Sequence, residues 1–301
     1  MAKKKKSVFF VRLGIVLLTI VLLLGGTYLL LDKAIVPKYF GAYNINNLGD
    51  LVGMVTTLYN NPKESEIVKN GYTLSDKSNV EQKLKDAGFP KYEDGSLDYD
   101  KIASGDFVID PTKQLEITDR ELAATMNEMV AHGVLSSKVP SLRFINEMSL
   151  TILEMNITPK KVDDVVDSRS AYVSITLKFD TETIIEQISK EMDTPVFLLN
   201  MIIPKTMYIS LGYDLTIDSE GVCHEENGSM AVNGRTVKQS KILLDMLVQF
   251  IFPQEDEMTA EKLVDTIGSS LISGINMLGN IEFKENIKEK QNGVVLTFPE
   301  Q

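Results

Sequence analysis

The stretch AYVSITLKFD, residues 171–180, decides the fold class. Tyr172, Ser174, Thr176 and Lys178 alternate with Val173, Ile175, Leu177 and Phe179, the two-residue period of a strand whose successive side chains point to opposite faces. One face is therefore buried and the other wet, as in an antiparallel sheet covered on one side. Residues 142–157, 207–217 and 222–232 are strand-like too, and 293–298 supplies a strand close to the C-terminus. Residues 218–221, DSEG, have turn chemistry and join two of these runs into a hairpin.

Helical patterns surround the strands. In EITDRELAATMNEMVAHG, residues 116–133, Thr118 and Glu121 form a capping box. Leu122, Met126, Met129 and Val130 line one stripe, and Gly133 stops the helix. Residues 181–192 predict a helix with Ile184, Ile185, Ile188 and Met192 inward. Residues 238–252 predict another, apolar almost all round, with a narrow stripe of Lys238, Lys241, Asp245 and Gln249. Residues 260–278 predict a third, whose Gly268, Ser269, Ser270, Ser273 and Gly274 allow close approach to a neighbour. The predicted fold is α+β: a single N-terminal transmembrane helix followed by an antiparallel sheet packed on helices.

The membrane segment comes from a run of 19 uncharged residues, 13–31. About 20 apolar residues cross the hydrocarbon core as a helix, and a helix satisfies its own backbone in lipid. Lys3, Lys4, Lys5, Lys6 and Arg12 precede the run, so residues 1–12 stay cytoplasmic and the rest lies outside. A cleaved signal has a shorter apolar region, roughly 7–15 residues, ending in a small-x-small site. Here the small cluster Gly25-Gly26-Thr27 is followed by more leucine. The expected localisation is the cell membrane, single-pass, with an extracytoplasmic C-terminal domain. Residues 38–110 are read as a small helical, loop-rich lobe near the membrane, and residues 115–301 as the α+β domain. Within the lobe, Leu48, Leu51, Val52, Val55 and Leu58 have helical spacing, and residues 91–106 form an acidic, glycine-punctuated loop.

Composition excludes several classes. Residues 1–12 hold five of the 31 basic groups and none of the 42 acidic ones, leaving a balance of −16 where the whole chain has −11. Such a domain is a poor partner for nucleic acid, which needs lysine and arginine stripes. Cys223 is the single cysteine, so no intrachain disulfide exists. That suits a bacterial envelope better than an animal secretory pathway.

No catalytic or metal-binding signature is present, and no cofactor is expected. His132 and His224 are the two histidines and lie in different elements. Cys223 and His224 are adjacent, so on a strand they point to opposite faces. Asp94, Ser96, Asp98 and Asp100 alternate as calcium ligands do, but an EF-type loop counted from Asp94 has Tyr99 where glycine belongs and Gly105 where glutamate belongs. Asp163-Asp164 and Glu225-Glu226 flank predicted turns and read as surface charge.

ITDRELAATMN, residues 117–127, and IPKTMYISLGYDLTID, residues 203–218, resemble parts of bacterial membrane-anchored proteins with a tubular lipid-binding-like domain. The first is similar to the strand followed by a Thr-x-x-Glu-Leu helix that opens such domains, and the second to their long alternating strand. The resemblance covers residues 115–300. It implies a sheet curled around helices and binding of an acyl chain or other envelope amphiphile without chemistry. The lining residues expected for that ligand are Met201, Ile203, Met207, Leu247, Phe250 and Ile251, with methionine adapting to variable shapes. The partners are then the membrane, through the N-terminal helix, and a lipid. An alternative is a structural or assembly partner of other envelope proteins, which would expose a contiguous apolar surface. A cell-wall-directed hydrolase would need a cleft holding two carboxylates in opposed environments.

Overall fold

The computed structural model describes residues 25–41, 46–59, 62–133, 150–191, 196, 204–235, 259–288 and 290–298. The chain divides into two compact units, Met1–Thr56 and Thr57–Gln301. In the first, Leu31–Ile35 and Val36–Phe40 are helical, and helix α1 spans Leu48–Tyr59, running into the second unit. The start of α1 is capped twice. Asn47 Oδ1 accepts the Asp50 N–H at 2.9 Å, and the buried Asp32 carboxylate accepts the Leu48 N–H at 2.7 Å. Both bonds satisfy amides that a first helical turn leaves unpaired. Among the described residues no helix is long and apolar enough to cross a membrane. Residues 13–24 of the apolar run lie outside them.

The second unit is α+β with two antiparallel sheets packed with helices. A four-stranded meander runs in the order β2 (Thr151–Val162), β3 (Val165–Asp180), β4 (Thr206–Ile217) and β5 (Cys223–Val232). The alternation of residues 171–180 does set its faces. Cross-strand rows Ile157–Val173–Tyr213, Met155–Ile175–Leu211–Met230 and Ile152–Leu177–Ile209–Val232 are all buried on one side. Rows of Glu154–Thr176–Ser210 and Asn156–Ser174–Gly212 lie on the other. The β2–β3 turn places Asp163 and Asp164 at φ 52° and 62°, the left-handed pair a two-residue hairpin of type I′ requires. Asp218 to Gly221 closes the β4–β5 hairpin as its composition predicts, with the Gly221 N–H donating to the Asp218 carbonyl at 3.2 Å.

The second sheet has the order β1 (Gln114–Thr118), β7 (Gln291–Thr297), β6 (Asn280–Lys288). Its first strand feeds helix α4, Asp119–Ala131, through the expected capping box. The Glu121 N–H donates to Thr118 Oγ1 at 3.2 Å, and the Thr118 N–H donates to Glu121 Oε2 at 3.0 Å. Leu122, Met126, Met129 and Val130 are buried, as their stripe predicts. Helix α2, Leu74–Ala87, packs on α4 and β1. There Lys83 Nζ donates to Glu121 Oε2 at 2.6 Å and to the Glu116 carbonyl at 2.8 Å. A short helix α3, Tyr99–Ser104, follows, and α5 spans Glu182–Glu191 with Ile185 buried.

Helix α6, Ala260–Asn276, packs mainly on β5, with α4 and β4 beside it, and Val264, Ile267, Ile272 and Ile275 on it are buried. Gly268 lets it come close: a Cβ there would lie 2.6 Å from the Tyr213 ring, whose hydroxyl donates to the Val264 carbonyl at 2.8 Å. Side-chain amides protect the outer edges of the meander. Asn276 bonds both the N–H and the carbonyl of Cys223 on β5, at 3.1 Å each. On β2, Asn127 accepts the Ile152 N–H at 2.9 Å, and Asn292 donates to the Ile157 carbonyl at 2.8 Å. Filling edge hydrogen bonds from within the molecule blocks pairing with another chain.

Candidate functional site

Two places in the second unit combine burial with unusual chemistry. One is an apolar groove and the other a buried polar cluster.

The groove forms where the segment after α3 meets the end of α6 and the end of β7. Gly105, Phe107, Ile109, residues 276–280 and Phe298 line a half-open space of about 270 Å³. Ile109, Leu278 and Phe298 are buried in its walls, while Phe107 and Met277 are half-buried at the mouth. Phe89 holds the aromatic wall in place from behind. Its ring lies 5.2 Å from that of Phe107 and 5.9 Å, edge-on, from that of Phe298, separations at which aromatic pairs attract. The amide of Asn276 is committed to the β5 edge. The rest of the lining is more apolar than polar, with Asn280 and the backbone of Gly105 and Gly279 as its polar part.

Of the residues expected to line a ligand site, Met207 alone is described. It is buried in β4 beside its partner Phe179, within the sheet's apolar face and away from the groove lining. Met201, Ile203, Leu247, Phe250 and Ile251 lie outside the described residues. The groove itself carries one local sequence signal, the apolar triplet Phe107-Val108-Ile109 inside an acidic stretch.

The polar cluster joins residues 69–70 to β2 and α4. Glu154 is 3% exposed, and its carboxylate accepts the Lys69 N–H at 2.9 Å, the Asn70 N–H at 2.8 Å and Asn156 Nδ2 at 2.9 Å. The Asn70 amide donates to Asp119 Oδ2 at 3.3 Å and accepts from Arg120 Nε at 2.6 Å. Asp119 is 5% exposed. Burial pushes its carboxyl up to about 6, against the Arg120 backbone bond and charge, with the Glu154 charge adding to the rise. Two buried carboxylates, from α4 and β2, thus have Asn70 as a common hydrogen-bond partner.

The other reactive side chains have structural partners. The His132 ring stacks on Tyr99 with centroids 4.7 Å apart, and His224 Nε2 pairs with Asp218 Oδ2 at 2.8 Å on the surface. The Cys223 thiol is pushed up to about 12 by burial, with Glu225 adding to it, so it stays protonated and unreactive. Asp94 Oδ1 accepts both the N–H and the hydroxyl of Ser96, at 2.9 Å and 2.6 Å, which holds its carboxyl below the usual range. Among the described residues no cluster of histidine, cysteine, aspartate or glutamate could hold a metal ion.

Comparison with protein-family models and with curated proteins gives no match.

Proposed function

We propose that this protein is a membrane-anchored, extracytoplasmic binding module for a hydrophobic envelope ligand, working without catalysis. The observation that carries the reading is the apolar groove of about 270 Å³ between Phe107, Met277 and Phe298. An apolar cavity of about 150 Å³ accepts a benzene, so the groove has room for a ring or a short length of alkyl chain. Each buried methylene contributes about 0.8 kcal/mol, and the half-open mouth leaves a polar head in water. The uncharged run of residues 13–31 supplies the anchor. The resemblance of residues 117–127 and 203–218 to tubular lipid-binding-like domains supports the same ligand class.

A photoactivatable fatty acid, added to the full chain in lipid nanodiscs, tests the site. Labelling is expected on peptides covering residues 105–109 and 276–280. Met277→Asp places a charge at the mouth and is expected to cut that labelling at least tenfold, equivalent to about 1.4 kcal/mol, with the melting temperature unchanged. Equal labelling of a folded Met277→Asp protein overturns the placement.

A second reading, an assembly partner of another envelope protein, draws on Val162 and Val165. They face each other at the tip of the β2–β3 hairpin and are 63% and 69% exposed. It expects crosslinks from that tip to a second protein in cells and no labelling of the groove.

A further inference from the structure

Residues 62–73 are the covalent route from α1 to α2, and they lie across the polar face of the meander. Polar bonds hold them there. Glu64 pairs with Lys178 of β3 at 2.9 Å. The Lys69 and Asn70 amides bond Glu154 of β2, and the Asn70 side chain bonds Asp119 and Arg120 of α4. Two buried carboxylates from different elements thus meet around one asparagine.

We propose that residues 62–73 form a proton-sensitive strap, bound more tightly to the sheet when the Asp119 carboxyl, buried beside Asn70 and Glu154, takes up a proton.

The ionised form of Asp119 faces the Glu154 charge in a site with little water. The charged groups around it are Arg120 on its own helix and Glu154 on β2, with the Asn70 amide between them. The remaining nearby charges are committed elsewhere. Lys69 Nζ donates to the Ser65 carbonyl at 3.0 Å, and Glu121 is tied to Lys83 at 2.6 Å. Protonation removes the like-charge repulsion and gives the cluster a new O–H donor. Lifting the strap takes Asn70 away and lets water reach Asp119, whose carboxyl then returns to the ordinary value of about 3.9.

The sign follows from that difference. With the strap down, the Asp119 carboxyl titrates at about 6. Between about pH 4 and pH 6 the closed form therefore holds a proton that the open form lacks, so closure strengthens as pH falls through this window. At pH 5 the gain over pH 7.5 is about tenfold in the closing equilibrium. The device is independent of which ligand the groove takes.

Hydrogen exchange on the full chain in nanodiscs tests it, with rates corrected for the intrinsic pH dependence of amide exchange. Peptides covering residues 66–72 are expected to be about tenfold better protected at pH 5.0 than at pH 7.5, while peptides from β4 change little. Asp119→Asn is expected to abolish the difference, and wild-type protein alone still decides whether the strap responds to pH. Equal protection at both pH values overturns the proposal. So does an equal change in β4, or a difference that persists in Asp119→Asn.

Discussion

Replacing Gly293 with valine is expected to destabilise the domain by at least about 3 kcal/mol, more than usual overpacking of a core, which costs about 1–3 kcal/mol. Gly293 lies in β7, the central strand of the second sheet, between Thr118 of β1 and Lys284 of β6. A Cβ there would lie 2.1 Å from the Ile117 carbonyl oxygen and 2.8 Å from the Thr118 Cα. Both are backbone atoms, so no side-chain rotation relieves the clash. The strands must separate at the point where β1 hands over to the capping box of α4, and Thr118 belongs to both. The loss is large against a typical total of about 5–15 kcal/mol. Urea unfolding checks it: Gly293→Val should melt at far lower denaturant than wild type, with Gly293→Ala between them. A wild-type midpoint for the valine variant would mean that β1 and β7 do not pair in this register.

The second large effect is expected at Glu154. Glu154→Leu keeps the approximate volume but removes the acceptor for the Lys69 and Asn70 amides and for the Asn156 side chain. Removing one partner of a buried charged network costs about 3–5 kcal/mol when the others stay buried, and each stranded polar group costs about 1–3 kcal/mol. The strap has a cheaper escape, which is to lift and let water reach the amides. The expected result is therefore a loss of about 3 kcal/mol together with new protease cleavage within residues 66–72, where wild type resists. Glu154→Gln, which keeps one acceptor oxygen, should fall between. A leucine variant as stable and as protease-resistant as wild type would contradict the role given to this carboxylate.

Much of the sheet is legible in the sequence because burial writes itself as alternation. Residues 171–180 and 207–217 read directly as strands, since one side of each is buried, as at Ile175 and Leu211. The α4 capping box is equally local, needing only Thr118 and Glu121 three residues apart. The β2–β3 hairpin extends further toward its tip than the pattern suggests, while β2 begins at Thr151 within the strand-like run 142–157, whose residues 142–149 lie outside the described ones. Residues such as Lys160, Lys161 and Arg169 extend toward a tip where Val162 and Val165 are exposed, so neither face is selected to be apolar. Strand β6 is hidden for a similar reason. Ile281 and Phe283 alternate, but the following KENIK looks like solvated surface.

The sites are less legible than the strands. The groove draws on residues near 107, 278 and 298, which no local period connects. The strap depends on Glu154 meeting Lys69 and Asn70 across 85 and 84 residues. Glu154 falls on the wet side of β2 with Asn156, so alternation gives no sign that it is buried. Met207, one of the residues expected to line a ligand, is buried in the sheet's apolar face.

The proposed hydrophobic ligand would lie in the groove at Met277. Native mass spectrometry of the full chain released from its own membranes, followed by solvent extraction of the bound mass, tests this most directly. An extractable amphiphile is expected on wild type and is expected to be missing from folded Met277→Asp. A bare wild-type chain, or equal occupancy of the two proteins, would contradict it.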